Sequence, residues 1–87
     1  MYIAKIIVTL RPSILDPQGK ATLHALQSLG MDSAREVRMG KFIEMKVQAN
    51  SKAEAEKTVE EACKKLLANP VMENYSFILE MAGDGES

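Results

Sequence analysis

In three stretches of the chain, successive side chains fall alternately into two sets, as they do on the two faces of a β-strand. The stretches are residues 2–10, 33–49 and 75–81. Gly40 stands in the middle of the second stretch, which predicts an antiparallel pair, residues 35–39 and 41–47, that turns or bulges at this glycine. The alternation therefore predicts four strands.

Helical spacing separates these stretches twice. Asp16 before Pro17 predicts a helix start, because the carboxylate can accept from first-turn amides and proline suits the first helical position. Gly30 predicts the end of that helix. Ser51 begins a second helix with a capping-box spacing, and this helix is predicted to stop before Pro70. The apolar stripes comprise Ala21, Ala25, Leu26 and Leu29 in the first helix and Ala55, Val59, Ala62, Cys63, Leu66 and Leu67 in the second.

The order strand, helix, strand, strand, helix, strand predicts an α+β fold of the ferredoxin-like βαββαβ kind. In this fold a four-stranded antiparallel sheet carries two helices on one face. We expect a single domain over residues 1–81 and a flexible acidic tail over residues 82–87.

The same periodicity leaves apolar residues on the sheet face that points away from the helices. They are Ile3, Ile7, Phe42 and Ile78. Because a contiguous exposed apolar patch usually marks an interface, we expect the chain to self-associate or to dock on a larger protein through this face.

The composition of the chain also favours self-association or docking on a larger protein. A chain of 87 residues has a marginal core, and one cysteine with one histidine can form neither an internal disulfide nor a four-ligand zinc site. A net charge of -1 and a pI near 5.8 disfavour nucleic acid as a partner. No apolar run is long enough to cross a membrane, and the free thiol together with the absence of a signal-peptide pattern predicts a cytoplasmic protein.

The sequence contains no recognisable catalytic set. His24 lies outside the apolar stripe of its helix, and Cys63 lies on the buried stripe, away from a helix start that would favour a thiolate. Phosphate-loop, dinucleotide-binding and zinc-protease motifs are missing. We therefore expect no catalytic, cofactor-binding or metal-binding residue in this chain.

Three segments are harder to assign to structure alone. Gly19 lies in the first turn of a helix, where glycine costs about 1 kcal/mol relative to alanine. The glycine indicates either that another group comes close to the backbone at this position or that the residue serves only the cap of the helix. Arg38 and Lys41 flank the predicted turn and suit an anion, an acidic partner or a solvated hairpin tip. Residues 67–71 are typical of a stiff joint between helix and strand.

Taken together, these segments resemble the PurS family, the small subunit of phosphoribosylformylglycinamidine synthase where that enzyme is split into three chains. The resemblance rests on LDPQG at residues 15–19, Val37-Arg38, Gly40-Lys41 and LLANPV at residues 66–71. It extends in unbroken order from about residue 6 to residue 79.

The resemblance implies a non-catalytic subunit that forms homodimers or homotetramers. The complete enzyme converts formylglycinamide ribonucleotide, glutamine, ATP and water to formylglycinamidine ribonucleotide, glutamate, ADP and phosphate, and it uses Mg2+. A PurL synthetase and a PurQ glutaminase carry the chemistry, and the small subunit joins them and assists ammonia transfer. The positions that match the family are implied to be interface or loop-shaping residues: Asp16, Gln18, Gly19, Arg38, Lys41, Asn69 and Tyr75.

Two other kinds of module have the ferredoxin-like fold. An RNA-recognition domain is disfavoured because the central strands lack the required glycine and aromatic pattern. The alternative that stays open is a free-standing regulatory module of the ACT kind, which binds a small molecule and shares the topology and the dimer.

Overall fold

The computed structural model describes residues 1–82. Its elements in chain order are β1 (Tyr2–Leu10), α1 (Pro17–Ser28), β2 (Gly40–Val47), α2 (Lys52–Ala62), a π-helical turn (Cys63–Leu67) and β3 (Glu73–Met81). Both β2 and β3 pair antiparallel with β1, so the sheet has three strands in the order β2-β1-β3. The α+β class is confirmed, and no helix among these residues is long and apolar enough to span a membrane. Apart from Ala82, the predicted tail lies outside the described residues.

The predicted hairpin at Gly40 is wrong. Residues 34–39 form no ladder, and no turn separates them from β2. Gly40 pairs with Thr9, and a Cβ atom at Gly40 would lie 2.7 Å from the carbonyl oxygen of Val8. The glycine therefore allows close contact with β1 instead of reversing the chain.

The core is a single layer between the sheet and α2. Ile6 and Val8 of β1 and Val59 and Cys63 of α2 and its π-helical turn are the largest fully buried side chains. The predicted cap of α2 is confirmed, since the hydroxyl of Ser51 accepts from the third N–H of the helix at 3.2 Å.

After Cys63 the buried stripe of α2 follows other residues than predicted. In the π-helical turn the N–H of Ala68 donates to the carbonyl of Cys63 at 3.0 Å, which adds one residue to the turn. This extra residue shifts the helical phase. As a result Leu66, predicted to be buried, is 82% exposed, whereas Leu67 is half-buried.

The predicted packing of α1 on the sheet is also wrong. The helix begins and ends as expected, at Asp16 and at Gly30 with a φ of 91°. However, Gly19 is its only buried residue, and Leu29 of the predicted stripe is 74% exposed. Together with the segment that follows it, α1 projects from the end of the sheet as an arm, residues 15–39. The radius of gyration is 16.8 Å, against about 12 Å for a compact chain of this length.

Candidate assembly surfaces

The residues singled out in the sequence lie on two surfaces. The first, called the open face, is the sheet face opposite α2 and carries Ile3, Ile7, Phe42 and Ile78. The second, called the loop end, is the end of the sheet where β1 ends and β2 and β3 begin. It carries Asp16, Gln18, Gly19, Arg38, Lys41, Asn69 and Tyr75. Antiparallel pairing brings these seven positions together, although they come from three separate stretches of sequence.

The open face has an apolar centre. The strand register sets Ile7 opposite Phe42, and these side chains are 51% and 63% exposed, with Ile78 at 58%. Beside them the ammonium of Lys5 contacts the carboxylate of Glu80 at 3.0 Å, and this hydrogen bond raises the pKa of Lys5. An exposed apolar centre with a charged rim is the anatomy of a protein–protein interface.

At the loop end, Asp16 connects two distant parts of the chain. Its Oδ1 accepts from the N–H of Gly19 at 2.9 Å, and its Oδ2 accepts from the N–H of Met39 at 2.7 Å. The hydrogen bond from Met39, followed by that from Gly19, lowers the pKa of the Asp16 carboxyl. The buried carboxylate thus caps α1 and fixes the entry into β2 with one ionised group.

Gly19 occupies its position because another backbone comes close. A Cβ atom there would collide with the carbonyl oxygen of Val37 and lie 2.7 Å from Oδ2 of Asp16. Of the two interpretations of this glycine, close backbone approach is confirmed. The approaching segment is the return half of the arm in the same chain.

Arg38 holds the loop between β1 and α1. One guanidinium nitrogen, Nη2, donates to the carbonyls of Arg11 at 2.9 Å and Ile14 at 3.2 Å. The Arg11 guanidinium in turn donates to the carbonyl of Pro70 at 2.6 Å. The sequence predicted that Arg38 flanks a turn. In the structure it flanks no turn and instead ties the base of the arm to the body of the fold.

Asn69 shapes the joint between α2 and β3. Its side-chain oxygen accepts from the N–H of Val71 at 2.9 Å, and its own N–H donates to the carboxylate of Glu73 at 2.7 Å. Further along β3, the hydroxyl of Tyr75 donates to the carboxylate of Glu60 on α2, which raises the pKa of Tyr75 to about 12. No local signal in the sequence marks Glu60 as a partner of Tyr75.

A cleft of about 330 Å³ opens between these loops. Asp16, Gln18, Lys41 and Glu73 provide its polar lining. The ammonium of Lys41 lies 3.4 Å from the carbonyl of Leu67, so it contributes to holding the joint before β3. The cleft contains one amide, two carboxylates and one ammonium group. Asp16, Lys41 and Glu73 form hydrogen bonds with the backbone of the surrounding loops and so hold their shape.

The two reactive side chains considered in the sequence lie away from this cleft. Cys63 is buried in the core, and burial raises the pKa of its thiol, while His24 is exposed on α1. Within residues 1–82 no three or more His, Cys, Asp or Glu side chains are grouped to hold a metal ion. The fold and the two surfaces define a small α+β domain with two candidate assembly surfaces in the described part of the chain.

The chain belongs to the PurS family. The family model described as PurS, phosphoribosylformylglycinamidine (FGAM) synthase, matches residues 3–81. Subunit PurS of this synthase from Synechocystis is 49% identical over 76 residues, which are 87% of this chain and 76% of that protein. The resemblance noted in the sequence is thereby confirmed, and the free-standing ACT-like alternative is not favoured.

Solved structures agree with this assignment. The structure of PurS from Bacillus subtilis is 42% identical and has a TM-score of 0.85, and the match covers 93% of this chain and 100% of that chain. A chain in the structure of PurLQS from Thermotoga maritima is 31% identical, with a TM-score of 0.82 and coverage of 92% and 99% of the two chains.

Proposed function

We propose that the chain is the non-catalytic assembly subunit of phosphoribosylformylglycinamidine synthase, a glutamine-dependent ligase of de novo purine biosynthesis. It joins the PurL synthetase to the PurQ glutaminase and assists the transfer of ammonia between them. The observation that carries this proposal is the family match over residues 3–81, supported by a structural neighbour solved as part of PurLQS.

The division of labour follows from chemistry. The glutaminase releases ammonia, which the synthetase uses with the ribonucleotide and ATP, so both active sites belong to the larger chains. ATP and Mg2+ serve the complex and are not bound by this subunit. Holding the two active sites together keeps ammonia out of bulk water, which prevents its loss by protonation. The subunit works in the cytoplasm with its two partners.

Both surfaces take part in assembly in this proposal. The open face, with Ile3, Ile7, Phe42 and Ile78, is covered by a second copy or by a larger partner because its apolar centre gains from burial. The loop end contributes an ordered polar surface, whose loops are held by Asp16, Arg38 and Asn69. The subunit forms homodimers or homotetramers, in which the four-stranded ferredoxin-like sheet is completed.

Size-exclusion chromatography of the three purified chains with glutamine, magnesium and nucleotide tests this proposal. We expect them to elute as one complex. Arg38→Glu is expected to weaken co-elution while the isolated chain stays folded, whereas Lys57→Glu, an exposed change on α2, leaves co-elution unchanged. Normal co-elution of the Arg38→Glu chain removes Arg38 from the assembly surface, and failure of the wild-type chain to join the other two refutes the proposal.

A further inference from the structure

The outer edge of β3 is free. This strand pairs with β1 on one side, and no strand among residues 1–82 pairs with its other side. We propose that an extended segment of one of the two larger subunits binds along this edge as an additional strand. The segment carries apolar side chains and, toward the loop end, an acidic side chain. The inference rests on the proposed function and names the surface that receives a partner.

Hydrogen bonds at the two ends of β3 show which of its backbone groups are free. The N–H of Arg11 donates to the carbonyl of Met72, and the N–H of Ala82 donates to the carbonyl of Met1, each at 2.9 Å. Residues of an antiparallel strand alternate between bonding the neighbouring strand and pointing away from it. The even-numbered residues of β3 therefore bond to β1. In the middle of the strand, the residues whose N–H and C=O groups point away from β1 are Tyr75, Phe77 and Leu79.

The sequence of β3 does not protect this edge. Its nine residues, Glu73–Met81, include no proline and no lysine, and its pairing with β1 continues without a bulge. Proline, lysine and bulges are the features by which soluble proteins keep other strands from pairing with a free edge. An edge without them suits the addition of a strand from a partner.

A groove, called the edge groove, lies between this edge and α2. Its floor is formed by Tyr75, Phe77 and Leu79, which are half-buried. One cavity of about 630 Å³ opens beside Tyr75, and another of about 490 Å³ opens beside Phe77 and Leu79. In strand addition the main chain provides the hydrogen bonds and pockets take alternate side chains. The cavity beside Phe77 and Leu79 is placed to take an apolar side chain of the segment.

The cavity beside Tyr75 selects an acidic side chain. Arg11 and Lys64 both line it, against one carboxylate, that of Glu73. Within residues 1–82 the Arg11 guanidinium donates from Nη2 to the carbonyl of Pro70, which leaves its other N–H groups for a ligand. A carboxylate of the bound segment therefore meets two cations at this end of the edge groove.

Charge disfavours a second copy of the chain at this edge. One row of charged side chains on α2 and its π-helical turn borders the edge groove: Lys52, Glu56, Glu60 and Lys64. Two copies that paired β3 with β3 over its full length would share a two-fold axis at Phe77, the central residue of the strand. Their α2 helices would run antiparallel beside each other. Lys52 would then face Lys64 of the second copy, and Glu56 would face Glu60 in the same way. Like charges would repel along the whole row, so a different chain is favoured.

Amide hydrogen exchange, followed residue by residue, tests the inference. In the isolated chain the amides of Tyr75, Phe77 and Leu79 should exchange fast because they point away from β1. Those of Ser76 and Ile78 should exchange slowly because they bond to β1. In the complex with purified PurL and PurQ, the first three amides should slow by roughly 10-fold or more, while the other two serve as internal controls. Mixtures with PurL alone and with PurQ alone identify the chain that provides the segment.

Substitutions give a second measurement. Lys64→Glu puts a carboxylate where the segment is proposed to bring one, so it should weaken binding by roughly 2- to 10-fold. Lys57→Glu, an exposed change on the same helix, should leave binding unchanged, and equal affinities of these two variants would contradict the acidic side chain. Leu79→Pro removes an outward N–H without breaking a bond to β1. It should therefore weaken binding by roughly 2- to 10-fold relative to Leu79→Ala.

The exchange experiment has three outcomes that overturn the inference. Slow exchange of the Tyr75, Phe77 and Leu79 amides in the isolated chain means that the chain itself or a second copy covers the edge. Fast exchange of these amides in a complex that co-elutes and uses glutamine means that the partners bind elsewhere, and the proposed function then stands. If the three chains do not co-elute, the proposed function fails and this inference fails with it.

Discussion

The carboxylate of Asp16 accepts a hydrogen bond from the N–H of Met39, 23 residues later in the chain, at 2.7 Å. The same side chain caps α1 through Gly19. One buried ionised group therefore sets both the start of the helix and the path by which the chain enters β2. The direction of the arm depends on this contact.

Asp16→Asn is expected to lower the stability of the fold at neutral pH. The lowered pKa means that the ionised carboxylate is favoured in the folded chain, so its contribution is complete above the unfolded value of 3.8 and is lost as the pH falls through the lower folded value. Urea unfolding at about pH 7 and about pH 3 checks this. The difference between wild type and variant should shrink at the lower pH, and a difference that stays constant contradicts the role of the charge.

Gly19→Ala is expected to destabilise the arm, although alanine normally stabilises a helix by about 1 kcal/mol relative to glycine. The new methyl group would meet the carbonyl of Val37, which belongs to the backbone and cannot rotate away. We expect a net loss of about 1–3 kcal/mol, measured by urea unfolding and by amide exchange in α1. Gln18→Ala, at the exposed neighbouring position, serves as the control, and a stabilised Gly19→Ala chain would refute the close contact.

Ile6 and Ile7 are adjacent in sequence and lie on opposite faces of β1. Ile6 is fully buried and Ile7 is 51% exposed. Ile6→Ala should therefore cost about 2–5 kcal/mol of unfolding free energy, while Ile7→Ala should cost less than about 1 kcal/mol. The order should reverse for assembly, where Ile7→Lys weakens association. Equal costs of unfolding would show that the assignment of faces is wrong.

The contact between Tyr75 and Glu60 predicts a shifted titration. In a Tyr2→Phe background, the ultraviolet absorbance of tyrosinate should report a pKa of about 12 for Tyr75, and Glu60→Gln should bring it toward 10.0. Because the folded pKa is raised, the stabilisation is complete below pH 10.0 and is lost as the pH rises through about 12. If Tyr75 titrates at the same pH in the chain with Glu60 and in the Glu60→Gln chain, the contact is contradicted.

Local sequence was sufficient to predict both helices, the residues that cap their first turns and the two faces of β1. Alternation in residues 2–10 identified β1 and separated Ile6 from Ile7, and the residues before each helix identified both caps. These features depend on neighbours within a few residues. The alternation of a strand and the spacing of a helix cap span only a few residues, so the sequence alone is enough to predict these features.

The features that were missed depend on contacts distant in sequence. A glycine such as Gly40 fits a turn and a close strand contact equally well, and only the pairing with Thr9 distinguishes them. The apolar stripe of α1 predicted a buried helix, whereas Gly19 is the only buried residue of α1 and Leu29 of that stripe is 74% exposed. The exposure of Leu66 results from a π-helical turn, which no spacing in the sequence marks.

The proposed role is tested most directly by the rate of product formation from purified PurL and PurQ, measured with and without this chain. With glutamine as the nitrogen source, we expect little product until the chain is added. With ammonia supplied directly, PurL should form product whether or not the chain is present. Unchanged glutamine-dependent turnover in its absence would contradict the account.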